Sequence, residues 1–241
     1  MARSLAPVAL LLMAGSLVLL WFVILSGLTR TSPLRQTYFL RAETLGIDGA
    51  RPVSQWTFFR ICGLGNLDCG PSRPALPLGD AWASSADAVP DELIGNFGNG
   101  TTSYSYWYMW RFGWVFYLLA LLFEVIALIV GMLALCSRVG SVLAGIVSAV
   151  AFVFLAAGVS LMTATFVKMR NAFVNDGRDA SLGAYAFGFS WGAVAALLIA
   201  TVLFCASSRK SKRDAPPPPA GRPRTYPWNR HTTHPVKTDY A

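Results

Sequence analysis

The chain has 241 residues, 54% of them hydrophobic against 13% charged, and a formal net charge of +8. A soluble domain carries roughly 25% charged residues, so this composition excludes an ordinary water-soluble fold and points to a membrane. It offers no phosphate-binding loop, no paired membrane carboxylates and no serine motif in a credible scaffold, so no enzyme activity, cofactor, metal site or nucleic-acid partner is read from it.

Four stretches carry at most one charge over more than twenty residues: Ala6 to Leu28, Phe112 to Leu135, Val139 to Val167 and Ala180 to Ser208. Each can cross a hydrocarbon core that needs about 20 residues. The first is too long for the apolar region of a signal peptide and shows no obvious cleavage site, so it is read as a retained span. The resulting map has an N-terminus over 1–5, spans over 6–28, 112–135, 139–167 and 185–206, and a large loop over 29–111. A turn over 136–138, a second loop over 168–184 and a basic, proline-rich, disordered tail over 207–241 complete it.

Orientation follows from the positive charge, which accumulates on the cytoplasmic side. With both termini inside, Arg3, the inner turn and the tail together carry the whole net charge of +8. The large loop, with seven basic and seven acidic residues, is neutral.

The large loop is longer than a connection requires and is expected to fold as a small domain. Gln36 to Leu40 and Gln55 to Ile61 are β-prone, and Pro71 to Asp91 reads as irregular coil. Cys62 and Cys69 fall outside, where they can bridge if the turn between them brings their Cα atoms within about 7 Å. Asn99-Gly100-Thr101 is a glycosylation sequon in a stretch expected to be flexible. Tyr104, Tyr106, Trp107, Tyr108, Trp110, Phe112 and Trp114 read as an interfacial aromatic belt, with a ligand-binding patch as the sharper alternative.

Small residues repeat along three spans: Gly113, Ala120, Ala127 and Ala134 by sevens in span two, and Gly188, Gly192, Ala196 and Ala200 by fours in span four. In span three Gly140, Ala144 and Ser148 are followed by Ala156, Ser160 and Ala164. These faces are expected to pack the bundle or to join copies of it. Span three is longer than the bilayer and is expected to carry Lys168 and Arg170 above it.

Glu124 is the one ionisable residue deep in a span. Such a residue marks an ion or proton path or, the favoured reading, a neutral carboxyl held between helices. Ser148, Ser160 and Thr163 are its candidate hydroxyl partners. Cys136 and Cys205, at the inner ends of spans, are candidates for S-palmitoylation or simple apolar fillers. Arg209, Lys210, Lys212 and Arg213 form a basic cluster suited to the anionic inner leaflet, and phosphorylation of Ser211 would weaken that attachment. Pro216 to Pro219 forces an extended segment, and His231 and His234 read as solvated tail residues rather than a metal pair.

Several segments occur together in a recognisable order: Trp56-Thr57-Phe58-Phe59-Arg60-Ile61-Cys62 with Cys69, Arg111-Phe112-Gly113, Cys136-Ser137-Arg138-Val139-Gly140, Ser160 to Phe173, and Phe189-Ser190-Trp191. In these the chain resembles the fungal eisosome tetraspanner family of the Sur/PalI type. The resemblance implies an all-α transmembrane four-helix bundle with a small β-containing extracellular loop domain, claudin-like in layout. It also implies residence in furrow-like plasma-membrane domains, with roles in membrane organisation, endocytosis and cell-wall integrity and no catalytic residue. Other copies of the chain and cortical eisosome proteins are the partners it brings to mind. Two further readings stay open: a claudin-like pore or calcium-influx regulator using Glu124 or loop acids, and a PalI-type pH or stress sensor signalling through its tail. The short spacing of Cys62 and Cys69 and the brief tail depart from many relatives.

Overall fold

The apolar runs leave the backbone no partner but itself in lipid, and each becomes a long helix. A computed structural model describes residues 5–29, 31–134 and 138–213. Its helices are α1 (Leu5–Ile24), α2 (Tyr104–Ala134), α3 (Arg138–Asn175) and α4 (Ala184–Arg213). All four are long and apolar enough to cross a membrane, with mean hydropathy of 2.1 to 2.6 over their best windows. The 38 residues of α3 span about 57 Å at ~1.5 Å per residue, well beyond a hydrocarbon core of ~30 Å. The surplus of α3, and the first two turns of α2, rise into the loop layer.

The helices pack as a ring in which α2 meets α3, α3 meets α4, α4 meets α1 and α1 meets α2. The seven-residue stripe of α2 faces inward at Gly113, Ala120 and Ala127. Its match on α3 is Ala144, Ala151, Gly158, Thr165 and Ala172, also spaced by seven and all buried. Small residues at this spacing let two backbones approach as a left-handed pair. The approach is close where Gly158 faces α2, since a Cβ there would sit 3.3 Å from the Gly113 carbonyl oxygen.

Two expected stripes face the bundle only in part: Ala144 and Ser148 of α3 and Ala200 of α4 are buried. On α3, Ser160 and Ala164 are exposed, because a four-residue repeat drifts around a helix of 3.6 residues per turn while the seven-residue repeat stays on one face. On α4, Gly188 is exposed and Gly192 and Ala196 are half-buried. The inward face there is Ala186, Ser190, Ala193, Val194, Leu197 and Ala200, continuing to Phe204.

Above the ring lies one antiparallel sheet in the order β3-β2-β1-β4, made of β1 (Leu40–Glu43), β2 (Val53–Trp56), β3 (Ile61–Cys62) and β4 (Ala180–Leu182). The strands overlap the β-prone runs at Leu40, Gln55, Trp56 and Ile61 and are shifted from them elsewhere. Gln36 closes a 3-10 turn over Leu34–Gln36, and residues 57–60 form the turn between β2 and β3. The fourth strand was not legible in the sequence. It comes from the second loop, and its edge is supplied by β1 through Leu40↔Leu182 and Arg41↔Ser181. Residues 71–91 are largely irregular, with one 3-10 turn over Leu78–Ala81. They nonetheless bury Leu76, Leu78, Ala81 and Trp82 beneath the sheet.

Candidate functional site

The loop layer is joined to the bundle by aromatic rings that the sequence spreads over five elements. Phe39, just before β1, is fully buried and stacks on Phe166 of α3 at 5.0 Å, with Trp110 of α2 at 6.3 Å and Phe187 of α4 at 5.7 Å around it. Trp56 packs on Phe173 of α3 and on Trp82, at 5.9 and 6.5 Å between ring centroids. The β2–β3 turn points down into the bundle, where Phe58 stacks on Trp114 at 5.7 Å and tilts against Tyr117. Its backbone N–H donates to the Ser26 hydroxyl at the end of α1. Two of the buried indole N–H groups have carbonyl partners, Trp56 donating to Leu78 at 2.9 Å and Trp110 to Leu76 at 2.8 Å, whereas the Trp114 N–H is buried without one among the described residues. Satisfying the polar edge of a buried Trp is what makes such a ring stabilising.

This changes the reading of the aromatic run in α2. Tyr106 and Trp110 are buried against the loop layer and are not part of a lipid-facing belt. Tyr104, Tyr108 and Phe112 face outward, and Phe97 gathers Tyr104, Trp107 and Tyr108 around itself at 5.6 to 5.9 Å. Helical spacing divides the run, and hydropathy alone could not say which residues go to which side.

Cys62 and Cys69 form a disulfide with Cα atoms 3.9 Å apart. Between them Asn66 adopts φ +52°, a left-handed conformation that Asn tolerates better than most residues. Its side-chain amide donates to the carbonyls of Leu34 and Thr37 at 3.1 and 2.9 Å, and its own N–H donates to Gln55 at 2.8 Å. Opening the bridge by replacing both cysteines with serine is expected to cost about 2–3 kcal/mol, from the entropy of so short a closed loop. A thermal unfolding midpoint in detergent that is the same for variant and parent would overturn that expectation.

Arg178, in the second loop, ties the two loops together. It pairs with Asp176 at 2.9 Å and donates to the carbonyls of Leu45 and Ala88, both at 2.9 Å. Nothing in the sequence singled it out, because its partners are backbone carbonyls 133 and 90 residues away.

Glu124 lies on the inward face of α2 and is fully buried. Neither of its carboxyl oxygens has a hydrogen-bond partner among the described residues. The hydroxyls expected beside it are engaged elsewhere: Ser148 and Thr163 donate to carbonyls of their own helix, and Ser160 is exposed. The polar group facing Glu124 is Ser16 of α1, whose hydroxyl donates to the Ala193 carbonyl of α4 at 3.0 Å. Two turns above, Tyr117 donates to Ser190 at 2.7 Å, linking α2 to α4. Because an unsatisfied buried polar group costs about 1–3 kcal/mol, Glu124→Met is expected to raise the unfolding temperature in detergent. A lowered midpoint would show instead that Glu124 holds the bundle together.

Asn99 is exposed, in a turn where Thr101 donates to the Gly98 carbonyl at 2.7 Å. Gly98 of that turn lies against Pro77. Cys205 is exposed on α4, near Gly145 of α3. Helix α4 continues to Arg213, so Arg209, Lys210, Lys212 and Arg213 prolong the span as helix. Cys136, Pro216 to Pro219, His231 and His234 lie outside the described residues.

Four membrane-length helices in a ring, capped by a disulfide-bonded sheet drawn from both loops on one side, define a multi-pass membrane protein with a folded loop layer. The comparisons assign the family: the model of the SUR7/PalI family matches residues 5–203, and the chain belongs to that family. Among its relatives, Protein SUR7 of Candida albicans is 36% identical over 203 residues, covering 83% of this chain and 72% of the relative. Protein SUR7 of Saccharomyces cerevisiae is 31% identical over 203 residues, covering 81% of this chain and 65% of that protein. A further Saccharomyces cerevisiae relative, the uncharacterized plasma membrane protein YNL194C, is 28% identical over 204 residues, 81% of this chain and 65% of the relative. The chain thus spans just under two thirds of the length of both Saccharomyces proteins.

Proposed function

We propose that this protein is a non-enzymatic organiser of a lateral domain of the fungal plasma membrane, of the eisosome type, acting in membrane organisation, endocytosis and cell-wall integrity. The observation that carries this reading is the continuity of the loop layer with the bundle. Phe39 and Trp56 seat the sheet on α2, α3 and α4, so the outer face cannot turn independently of the spans. A body of this kind fixes the relation between what meets its loops and what meets its helix ends, which is what a spacer or scaffold in a membrane needs. Membership of the SUR7/PalI family supports the same reading.

In this proposal both termini are cytoplasmic and the loop layer faces outward. Asn99 carries a glycan, Cys136 and Cys205 are sites of acylation, and the basic cluster from Arg209 to Arg213 meets anionic lipid of the inner leaflet. The partners are further copies of the chain and proteins of the cortex. A fluorescent fusion expressed from its own locus is expected to mark stable cortical patches. Uniform membrane or internal staining would count decisively against the organiser, and loss of a measured current in Glu124→Gln would replace it with a pore.

A further inference from the structure

A cleft of about 740 Å³ opens on the outer face of the sheet, where β1, β2 and β4 meet the first turn of α4. Gln55, Arg41 and Ser181 are Cα partners across β2, β1 and β4. In a pleated sheet, residues in one such row point to the same face. Here that face is the one turned away from the bundle, since the neighbouring row of Leu40 and Trp56 is buried. Arg35, from the 3-10 turn before β1, closes the other wall. Its guanidinium lies over Gly65, where a side chain would meet it at 3.6 Å.

Among the described residues, neither guanidinium of this cleft is held in an ion pair. The ion pairs among the described residues are Arg51–Asp68, Arg73–Asp80 and Arg178–Asp176, and none uses Arg35 or Arg41. Gln55 is 2% exposed, and its carbonyl oxygen is taken by the Asn66 N–H, which leaves its amide nitrogen as the end available to the cleft. Of the nearby carboxylates, Asp179 lies in the adjoining depression with Arg41 and Ser181, and Glu43 does not line the cleft. Two guanidinium forks and an amide converging on one concavity match the geometry of a phosphate ester, which accepts at several oxygens at once.

Position selects the source of that phosphate. The cleft is bordered by Ala184 and Tyr185, where the α4 span begins. Tyr185 is 47% exposed, and its ring continues through Phe189 to Phe22 of α1 at 5.9 and 5.6 Å. An apolar track therefore runs from the mouth of the cleft down the outside of the bundle. We infer that this cleft binds the anionic phosphodiester headgroup of a membrane lipid in the leaflet on the loop side, with the acyl chains lying along Tyr185, Phe189 and Phe22. The inference does not depend on the organising role.

The test uses the full-length chain in detergent, with Arg209, Lys210, Lys212 and Arg213 replaced by alanine so that the basic cluster cannot contribute. Native mass spectrometry follows titration with phosphatidylinositol, phosphatidylcholine and soluble glycerophosphoinositol. Phosphatidylinositol is expected to bind in preference to phosphatidylcholine. Arg35→Ala with Arg41→Ala, and separately Ser181→Asp, are expected to weaken it at least about tenfold, the loss of charge-assisted hydrogen bonds. The double lysine variant should fall between, because charge without the planar fork recovers part of the contact. Arg170→Ala, exposed at the same end of the molecule, should bind as the parent does, and unchanged unfolding midpoints will show that the variants are folded. Equal binding by the parent and the two cleft variants overturns the site. Glycerophosphoinositol binding as tightly as the lipid overturns the lipid assignment in favour of a soluble phosphate ester.

Discussion

Trp56→Ala is expected to destabilise the loop layer by about 3–5 kcal/mol, the range for removing a large ring from a packed core. Trp56 is 1% exposed, and three separate losses meet in it. Its ring leaves Phe173 and Trp82 without their neighbour, its N–H leaves the Leu78 carbonyl unpaired, and the end of α3 loses its seat on the sheet. Trp56→Phe keeps most of the packing and loses the hydrogen bond, so it should cost about 1–3 kcal/mol. Limited proteolysis of the detergent-solubilised protein reads the effect directly, with cleavage in residues 71–91 appearing in the alanine variant at temperatures the parent resists. Equal resistance of both proteins would show that the loops are held by something other than this ring.

Gly183→Ala is expected to be comparably damaging, about 3 kcal/mol or more, although it adds only a methyl group. A Cβ on Gly183 would overlap the backbone carbonyl of Tyr38. Backbone cannot step aside as a side-chain tip can. The Gly183 N–H also donates to the Phe39 carbonyl at 3.0 Å, so separating the two chains strains β4 against β1 and lifts Phe39 from the ring of α2, α3 and α4. Unfolding followed by tryptophan fluorescence should show a lower midpoint for Gly183→Ala and almost none of that change for Gly188→Ala, which has open space around it. If the two variants unfold together, the junction of the second loop with β1 is not what holds the layer down.

Both predictions turn on residues for which the chain gives unequal warning. Trp56 stands in the segment that carried the family resemblance, so its importance was visible even though its partners were not. Gly183 follows a polar stretch that reads as a simple connection. Its constraint exists only because the second loop returns to pair with a strand some 140 residues earlier in the chain. Arg178 and Asn66 belong with Gly183, since each acts on backbone carbonyls that no spacing rule can place. The expected partners of Glu124 fail for a related reason: a hydroxyl in a helix can bond a carbonyl of its own turn, which removes Ser148 and Thr163 from the set that could answer it.

By itself the sequence determined the number of spans and the presence of a folded loop with a cysteine pair. Hydropathy needs only a run of residues, and a seven-residue separation lets two cysteines bridge wherever the chain between them turns back. It also determined that α2 would pack through Gly113, Ala120 and Ala127, because a seven-residue period holds one face along a helix. What only the tertiary structure decided was which of several chemically similar residues faces inward. It separated Tyr106 and Trp110 from Tyr104 and Tyr108, and chose Ala193 and Leu197 over Gly188. It also joined the two loops in one sheet. Those choices depend on where a distant partner offers a surface, and in lipid, where apolar side chains gain little from leaving their solvent, close fit between partners is what decides.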